Sequence, residues 1–371
     1  MAAGIPERGS DTSPGDRRAA AQRLDVVIVS LGSTAGLRRA DEELRDSLAR
    51  AGAHVTVAHA RPPARMRTLM LTDLAWARAA RAAAVQALAQ ARGSPPPAIV
   101  YSSTTAALLW PRAGAIRFDA PSAGNRPGRH GLWQRPLERR RLARAPLLLP
   151  WSEGALRELG PVEAPDERTL VLPVPVEPSA PGGTAPQPRR DIAAITYAAN
   201  PAKKGLDRVL AAWRELFAEL PAGGPRELLV AGAGERELRS AGIDVSGVPG
   251  VCVAGALAPA EYRALLRRAR VFVCAPRRED YGLAQLEALA DGCLLVTTPA
   301  PGPYAALPLA RALDARLVSD DLRAALRAAL TSPPSGYRAR ALAALAPFRR
   351  DAVDRLVADE LLARLRAERP E

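Results

Sequence analysis

Apolar positions along this chain follow two alternating rhythms. Short, nearly continuous runs occur at 24–32 (LDVVIVSLG), 53–60 (AHVTVAHA), 97–103, 115–121 and 145–151. Such runs suit parallel strands buried on both faces. Between them apolar residues return at helical spacing, predicting helices over LRRADEELRDSLARAG, residues 69–92 and a short one after Thr104. A second series starts with DIAAITYAA (191–199), runs through RELLVAGAG, GVCVAGAL and ARVFVC, and ends at 294–296. Its helices are predicted over LDRVLAAWRELFAEL, APAEYRALLRRA, 320–330 and 336–345. The Pro-rich stretch 173–190 separates the two series and reads as a linker. The pattern therefore predicts an α/β protein of two Rossmann-like domains, 24–172 and 191–345, facing one another across a cleft. Residues 1–23 read as a disordered leader, and 346–371 as an amphipathic tail that crosses back to the first domain.

Candidate chemistry concentrates in ARVFVCAPRREDYGLAQLEALADGCLLVTT, residues 269–298. It reads as strand, loop, helix, strand, with Glu279 and Asp280 in the loop after the first strand and Glu287 on the helix. In an open parallel sheet that edge is where ligands bind. A glycine-rich turn, Gly32–Gly36, follows the first strand of the chain and serves either packing or close approach of backbone N–H groups to a phosphate. Its spacing is not GxGxxG, and no acidic residue ends the next strand, so it is no dinucleotide fingerprint.

A net charge of +13 suits a polyanionic partner. Nine arginines lie between Arg112 and Arg144 against Asp119 and Glu138. The segment 126–144 has two readings: a solvated helix face, or a surface for anionic lipid or an acidic acceptor, with Trp133 at the interface. No nucleic-acid module accompanies the charge. Cys252, Cys274 and Cys293 make no metal-ligand spacing and are expected to be buried thiols in a reducing compartment. Without a signal segment or an apolar run of membrane-spanning length, the expectation is a cytoplasmic protein, peripheral at most to the inner face of a membrane.

EDYGLAQLE (Glu279 to Glu287) resembles the E-x7-E motif of retaining glycosyltransferases of the GT-B fold, in particular glycosyltransferase family 4. The preceding APR and the following LADGCLLVTTPAPG fit that family's flow, and GSTAGLRRADEELRDSLARAGAHVTV resembles its opening. NPAKKG resembles its donor-phosphate segment, with Lys204 and Gly205 in place. Ala199 stands where the family carries an arginine, and Lys203, Arg277 or Arg278 are the candidates to replace it. The resemblance implies a transferase using a nucleotide-diphosphate sugar as substrate, with retention and without a metal or other cofactor.

It implies that Glu279 faces the donor sugar and that Glu287 accepts hydrogen bonds from the ribose. Gly36, Asn200, Lys203, Lys204, Tyr281, Gly282 and Leu283 would contact the donor. Near the acceptor, whether a glycan, a lipid-linked sugar or a small molecule, Asp119 and His130 are the candidate bases. Two other readings stay open: a transferase-like binding protein without catalysis, and a sugar-nucleotide epimerase of the same fold.

Overall fold

The computed structural model describes residues 24–367, apart from 65, 92–95, 127, 160–165 and 181–188. The predicted leader and the centre of the linker lie outside the described residues. Two five-stranded sheets form. In the first, β1 (Asp25–Ser30), β2 (His54–His59), β3 (Ala98–Tyr101), β4 (Ala115–Phe118) and β5 (Leu148–Pro150) lie in the order β2-β1-β3-β4-β5. In the second, β6 (Ile192–Tyr197), β7 (Leu228–Ala231), β8 (Val251–Gly255), β9 (Ala269–Cys274) and β10 (Leu294–Thr297) take the order β10-β9-β6-β7-β8. Every pairing is parallel.

Parallel neighbours need long crossovers, which helices supply. Those that frame the cleft are α1 (Ala35–Arg50), α2 (Leu69–Gln90), α3 (Ser122–Asn125), α4 (Gln134–Arg144), α5 (Glu153–Glu158), α6 (Pro201–Lys204), α7 (Leu206–Phe217), α8 (Pro259–Arg268), α9 (Leu283–Ala290) and α10 (Arg350–Leu356). Strand order reverses between β1 and β3 in one sheet and between β6 and β9 in the other. At such a point successive crossovers leave on opposite faces and open a crevice at the carboxyl ends of the strands.

Burial on both faces explains why the strands read as unbroken apolar runs. In β1, Val26 and Ile28 pack with Leu44 and Leu48 of α1, while Val27 and Val29 pack with Ala80 and Ala84 of α2. Cys274 and Cys293 are buried in the second core, but Cys252 is exposed. It lies on β8, the edge strand of its sheet, so the expectation of three buried thiols fails there.

The chain crosses between the domains twice, and the two crossings are tied together. The Val176 N–H donates to the Phe348 carbonyl at 2.8 Å. The Glu177 carboxylate accepts from the Arg350 N–H at 2.7 Å and pairs with the Arg349 guanidinium at 2.6 Å. Arg350 in turn reaches Glu43 of α1 at 2.5 Å. Past this point the tail belongs to the first domain. Val353, Val357, Leu361 and Leu365 complete the core made by Leu24, Val26, Leu44 and Leu172.

Candidate active site

The site begins at the end of β6. The Asn200 side chain accepts from the Lys203 N–H at 3.1 Å and caps α6, and Gly205 closes that turn at a φ of +65°. A Cβ at Gly205 would stand 1.8 Å from the Ala275 carbonyl oxygen, so the turn lies hard against the end of β9. This brings two lysines onto two carboxylates. Lys204 Nζ lies 2.6 Å from Glu279 Oε2, and Lys203 Nζ lies 2.6 Å from Asp280 Oδ2. Gln285 of α9 donates to the same Glu279 oxygen at 3.0 Å. Both carboxylates are buried. Their loop is fixed from behind, as Glu279 N–H donates to the Pro301 carbonyl at 3.0 Å and Ala305 N–H to the Tyr281 carbonyl at 2.9 Å. Gly282, at a φ of +90°, then turns the chain into α9, with Leu283 as its first residue. Loss of Lys204 would leave the buried Glu279 carboxylate without a cation, which holds that pair to its geometry.

Opposite stands the first domain's own crevice. Gly32, at a φ of +56°, ends β1, and the Arg38 guanidinium donates to its carbonyl at 2.7 Å. Thr34 caps α1 by accepting from Leu37 N–H at 3.2 Å, and a Cβ at Gly36 in the first helical turn would meet only the Thr34 hydroxyl, at 4.0 Å. One turn further, Arg39 crosses the cleft and pairs with Glu287 on α9. Glu287 has a second cation, Arg263 of α8, at 3.6 Å, and Arg263 is itself held by Asp291 at 2.5 Å. A second bridge links the domains where Arg278 pairs with Glu158 of α5 at 2.6 Å and with Asp280 at 2.9 Å. Contact is close on this side too. A Cβ at Gly154 would stand 2.1 Å from the Pro303 carbonyl oxygen, and one at Gly124 would stand 2.5 Å from the Arg278 guanidinium.

Asp119 follows β4 and lines the cleft wall, part-buried. Burial, reinforced by the negative charge of Asp280, pushes its carboxyl up to about 6, with Lys203 pulling the other way. For Asp280 burial also works upward, yet Lys203 and Arg278 hold it below the usual carboxylate range. Two carboxylates in one crevice thus have opposite tendencies, which is how acid–base roles are separated. Burial likewise raises Glu287, against the opposing pull of Arg39 and Arg263.

The structure brings together Glu279, Asp280, Lys203, Lys204, Gly282, Leu283 and Glu287, with Asp119 and Gly36 on the facing wall. Tyr281 is different: its ring packs edge-on against Trp151 at 5.2 Å and its hydroxyl accepts from Val174 N–H at 3.0 Å. The side chain secures the linker and is buried away from the crevice. His130 is exposed on the turn before α4. Arg277 faces outward, bidentate on Asp207 of α7 at 2.8 and 3.0 Å, and so does not replace the cation absent at Ala199. Of the arginine-rich segment, Arg126 pairs with Asp73 at 2.7 Å and Arg141 lies over the Trp110 ring at 4.9 Å, so part of it braces the domain. Sequence reading missed Arg39, Glu158, Arg263 and Gln285, all of which touch the charged cluster.

Residues 190–332 match the family described as Glycosyl transferases group 1, a span that contains Lys204, Glu279 and Glu287. The match covers this segment of the chain and does not extend to the first sheet. Over the whole chain, similar solved structures carry the same two-domain GT-B architecture. One is WaaG, a glycosyltransferase involved in lipopolysaccharide biosynthesis (17% identity, 93% of this chain and 98% of that one, TM-score 0.63). Another is the sucrose-phosphate synthase of Thermosynechococcus elongatus (16%, 93% and 100%, TM-score 0.63). A third is the UDP-forming alpha,alpha-trehalose-phosphate synthase of Burkholderia xenovorans in complex with glucose-6-phosphate (16%, 93% and 100%, TM-score 0.65). No curated protein sequence matches the chain. The matched segment contains the second sheet and both glutamates of the motif.

Proposed function

We propose that the protein is a glycosyltransferase moving a hexose from a nucleotide-diphosphate sugar to an acceptor hydroxyl, with retention and without a metal. The observation that carries the reading is the Lys204–Glu279 pair at the switch point of the second sheet, with Glu287 of the same motif reached across the cleft by Arg39 of α1. When the bond between the anomeric carbon and the phosphate oxygen breaks, charge accumulates on the diphosphate. Lys204 and the first amides of α9 are fixed cations and dipoles at that position. Glu279 accepts from donor-sugar hydroxyls and Glu287 from the ribose. The acceptor oxygen forms the new bond on the same face, and Asp119 takes its hydrogen bond and proton. Closure about the double crossing brings the acceptor wall onto the donor and excludes water. The UDP-forming activity named for the trehalose-phosphate synthase relative supports a nucleoside diphosphate as the leaving group.

A thermal-shift panel of UDP-, GDP- and TDP-sugars tests the donor, since a ligand bound only by the folded state raises the melting temperature. Product analysis then separates the rivals. Transfer needs an acceptor, an epimerase converts donor alone, and a binding protein leaves the donor intact. A panel in which no nucleotide sugar shifts the transition sinks the proposal. For Asp119, kcat/KM reports ionisations of the empty enzyme. The base must be deprotonated, so kcat/KM is expected to fall as pH drops through about 6, and this limb should vanish in Asp119→Asn. A limb that survives the substitution assigns the proton elsewhere.

The acceptor side also suits an anionic membrane surface at the inner face of a cytoplasmic membrane. No helix among the described residues is long and apolar enough to cross a membrane. Met66, Leu69, Met70, Leu71 and Leu132 are exposed, and Arg129, Arg139 and Arg140 are exposed nearby on the same domain. Apolar side chains beside arginines are what an anionic interface attracts. Co-sedimentation with phosphatidylglycerol vesicles, absent with phosphatidylcholine and lost in Leu69→Glu/Leu132→Glu, is the expected result; equal recovery with both lipids excludes this surface.

A further inference from the structure

The charge pattern across the cleft assigns one more residue to the donor, on the domain opposite the one that carries the glutamates. Each cation that the second domain brings to the β6–β9 edge already has a carboxylate. Lys204 is on Glu279, Lys203 on Asp280, Arg278 on Asp280 and Glu158, and Arg277 is turned away onto Asp207. A diphosphate carries about two negative charges, and a partnered lysine can turn to it only by giving up the carboxylate it holds. Arg39 is placed differently. It leaves α1 one turn after Gly36, at the positive end of a sixteen-residue helix whose first turn borders the cleft. Its side chain is one-third exposed, and its partner Glu287 keeps a second cation, Arg263, when Arg39 lets go. Release of Arg39 therefore leaves Glu287 with Arg263, a cation it shares with Asp291, as release of Lys203 would leave Asp280 with Arg278. Release of Lys204 would leave Glu279 with Gln285 alone.

We propose that Arg39 is a diphosphate-binding residue held on Glu287 until the donor arrives. In the empty cleft the Arg39–Glu287 pair draws the domains together. When ribose hydroxyls take the Glu287 carboxylate, the guanidinium moves to the diphosphate between the Gly32–Gly36 turn and Lys204. A planar guanidinium suits this exchange, since carboxylate and phosphate present it with similar pairs of oxygens. One cation thus bridges the domains in both states, through Glu287 in the empty cleft and through the diphosphate in the loaded one. The inference rests on the glycosyltransferase reading, and names the N-terminal domain as a contributor of charge to the donor.

The test compares uridine, UMP and UDP, with the guanosine and thymidine series in parallel, by calorimetric titration of wild type and Arg39→Ala. Loss of a charge-assisted contact to the second phosphate should weaken the diphosphate about 10- to 100-fold and change the nucleoside by less than about threefold. Adding Ala199→Arg to Arg39→Ala returns a guanidinium to the exposed end of β6, and should recover most of the loss. A purely structural clasp would weaken nucleoside and diphosphate by the same factor, or neither, and either result overturns the assignment. Wild-type protein that binds none of the nucleotides overturns the glycosyltransferase reading itself, and the inference with it.

Discussion

Glu279→Gln is expected to lower kcat by ~100- to 1000-fold while nucleoside-diphosphate affinity holds or improves. The substitution keeps the shape of the side chain and removes its charge, and the size is that of losing one preorganised electrostatic group. Lys204 keeps its place at the diphosphate and is no longer shared with a carboxylate 2.6 Å away, so binding does not fall. Lys204→Ala should behave differently. It lowers kcat by a similar factor, weakens the nucleotide about tenfold, and leaves Glu279 buried against Gln285 alone, which also lowers thermal stability. Steady-state kinetics alongside titration of the product nucleotide separate the two variants. Turnover of Glu279→Gln within a few-fold of wild type would remove Glu279 from the reaction.

Gly205→Ala should be among the most damaging small substitutions in the chain. The new methyl would stand 1.8 Å from the Ala275 carbonyl oxygen, a backbone atom, at a φ of +65°. Left-handed backbone costs a residue with a Cβ about 1–2 kcal/mol, and overpacking a further 1–3. The total of roughly 2–5 kcal/mol corresponds at its midpoint to a fall of ~10 °C in the melting temperature of a domain this size. Relief would require the Lys203–Lys204 turn to lift away from β9, which separates both lysines from their carboxylates and abolishes transfer. Gly52→Ala is the control. Its φ of +93° carries the conformational cost, but no atom lies within 4 Å, so the loss should stay near the conformational cost alone. Similar melting temperatures for the two variants would contradict the packing argument.

How far the sequence discloses this site depends on the distance over which each partner acts. The strands were legible because both faces of each are buried, and the resulting runs need no knowledge of the partner. The strand orders were not, since β6 pairs with β9 across more than seventy intervening residues that include two further strands. Lys204 and Glu279 were legible as residues with chemistry, each beside a glycine turn at a strand end. Their mutual contact was not. Arg39 reads as one of many arginines in an amphipathic helix, and its partner Glu287 is 248 positions away. Arg117 and Glu138 likewise look like surface charge and are buried. Tyr281 lies within the motif, yet packing against Trp151 decides where its ring goes, and local pattern carries no record of Trp151.

The tail that completes the first core has a consequence for the order in which the molecule is assembled. As the chain leaves the ribosome, β1 emerges first, but the apolar face formed by Leu24, Val26 and Ile28 meets Val353, Val357 and Leu361 only after the whole second domain has been made. The second domain has its sheet and most of its core within its own sequence, with Ala40 and Trp151 contributed by the half already made, and can close while synthesis continues. The half that is translated first is therefore the last to be finished.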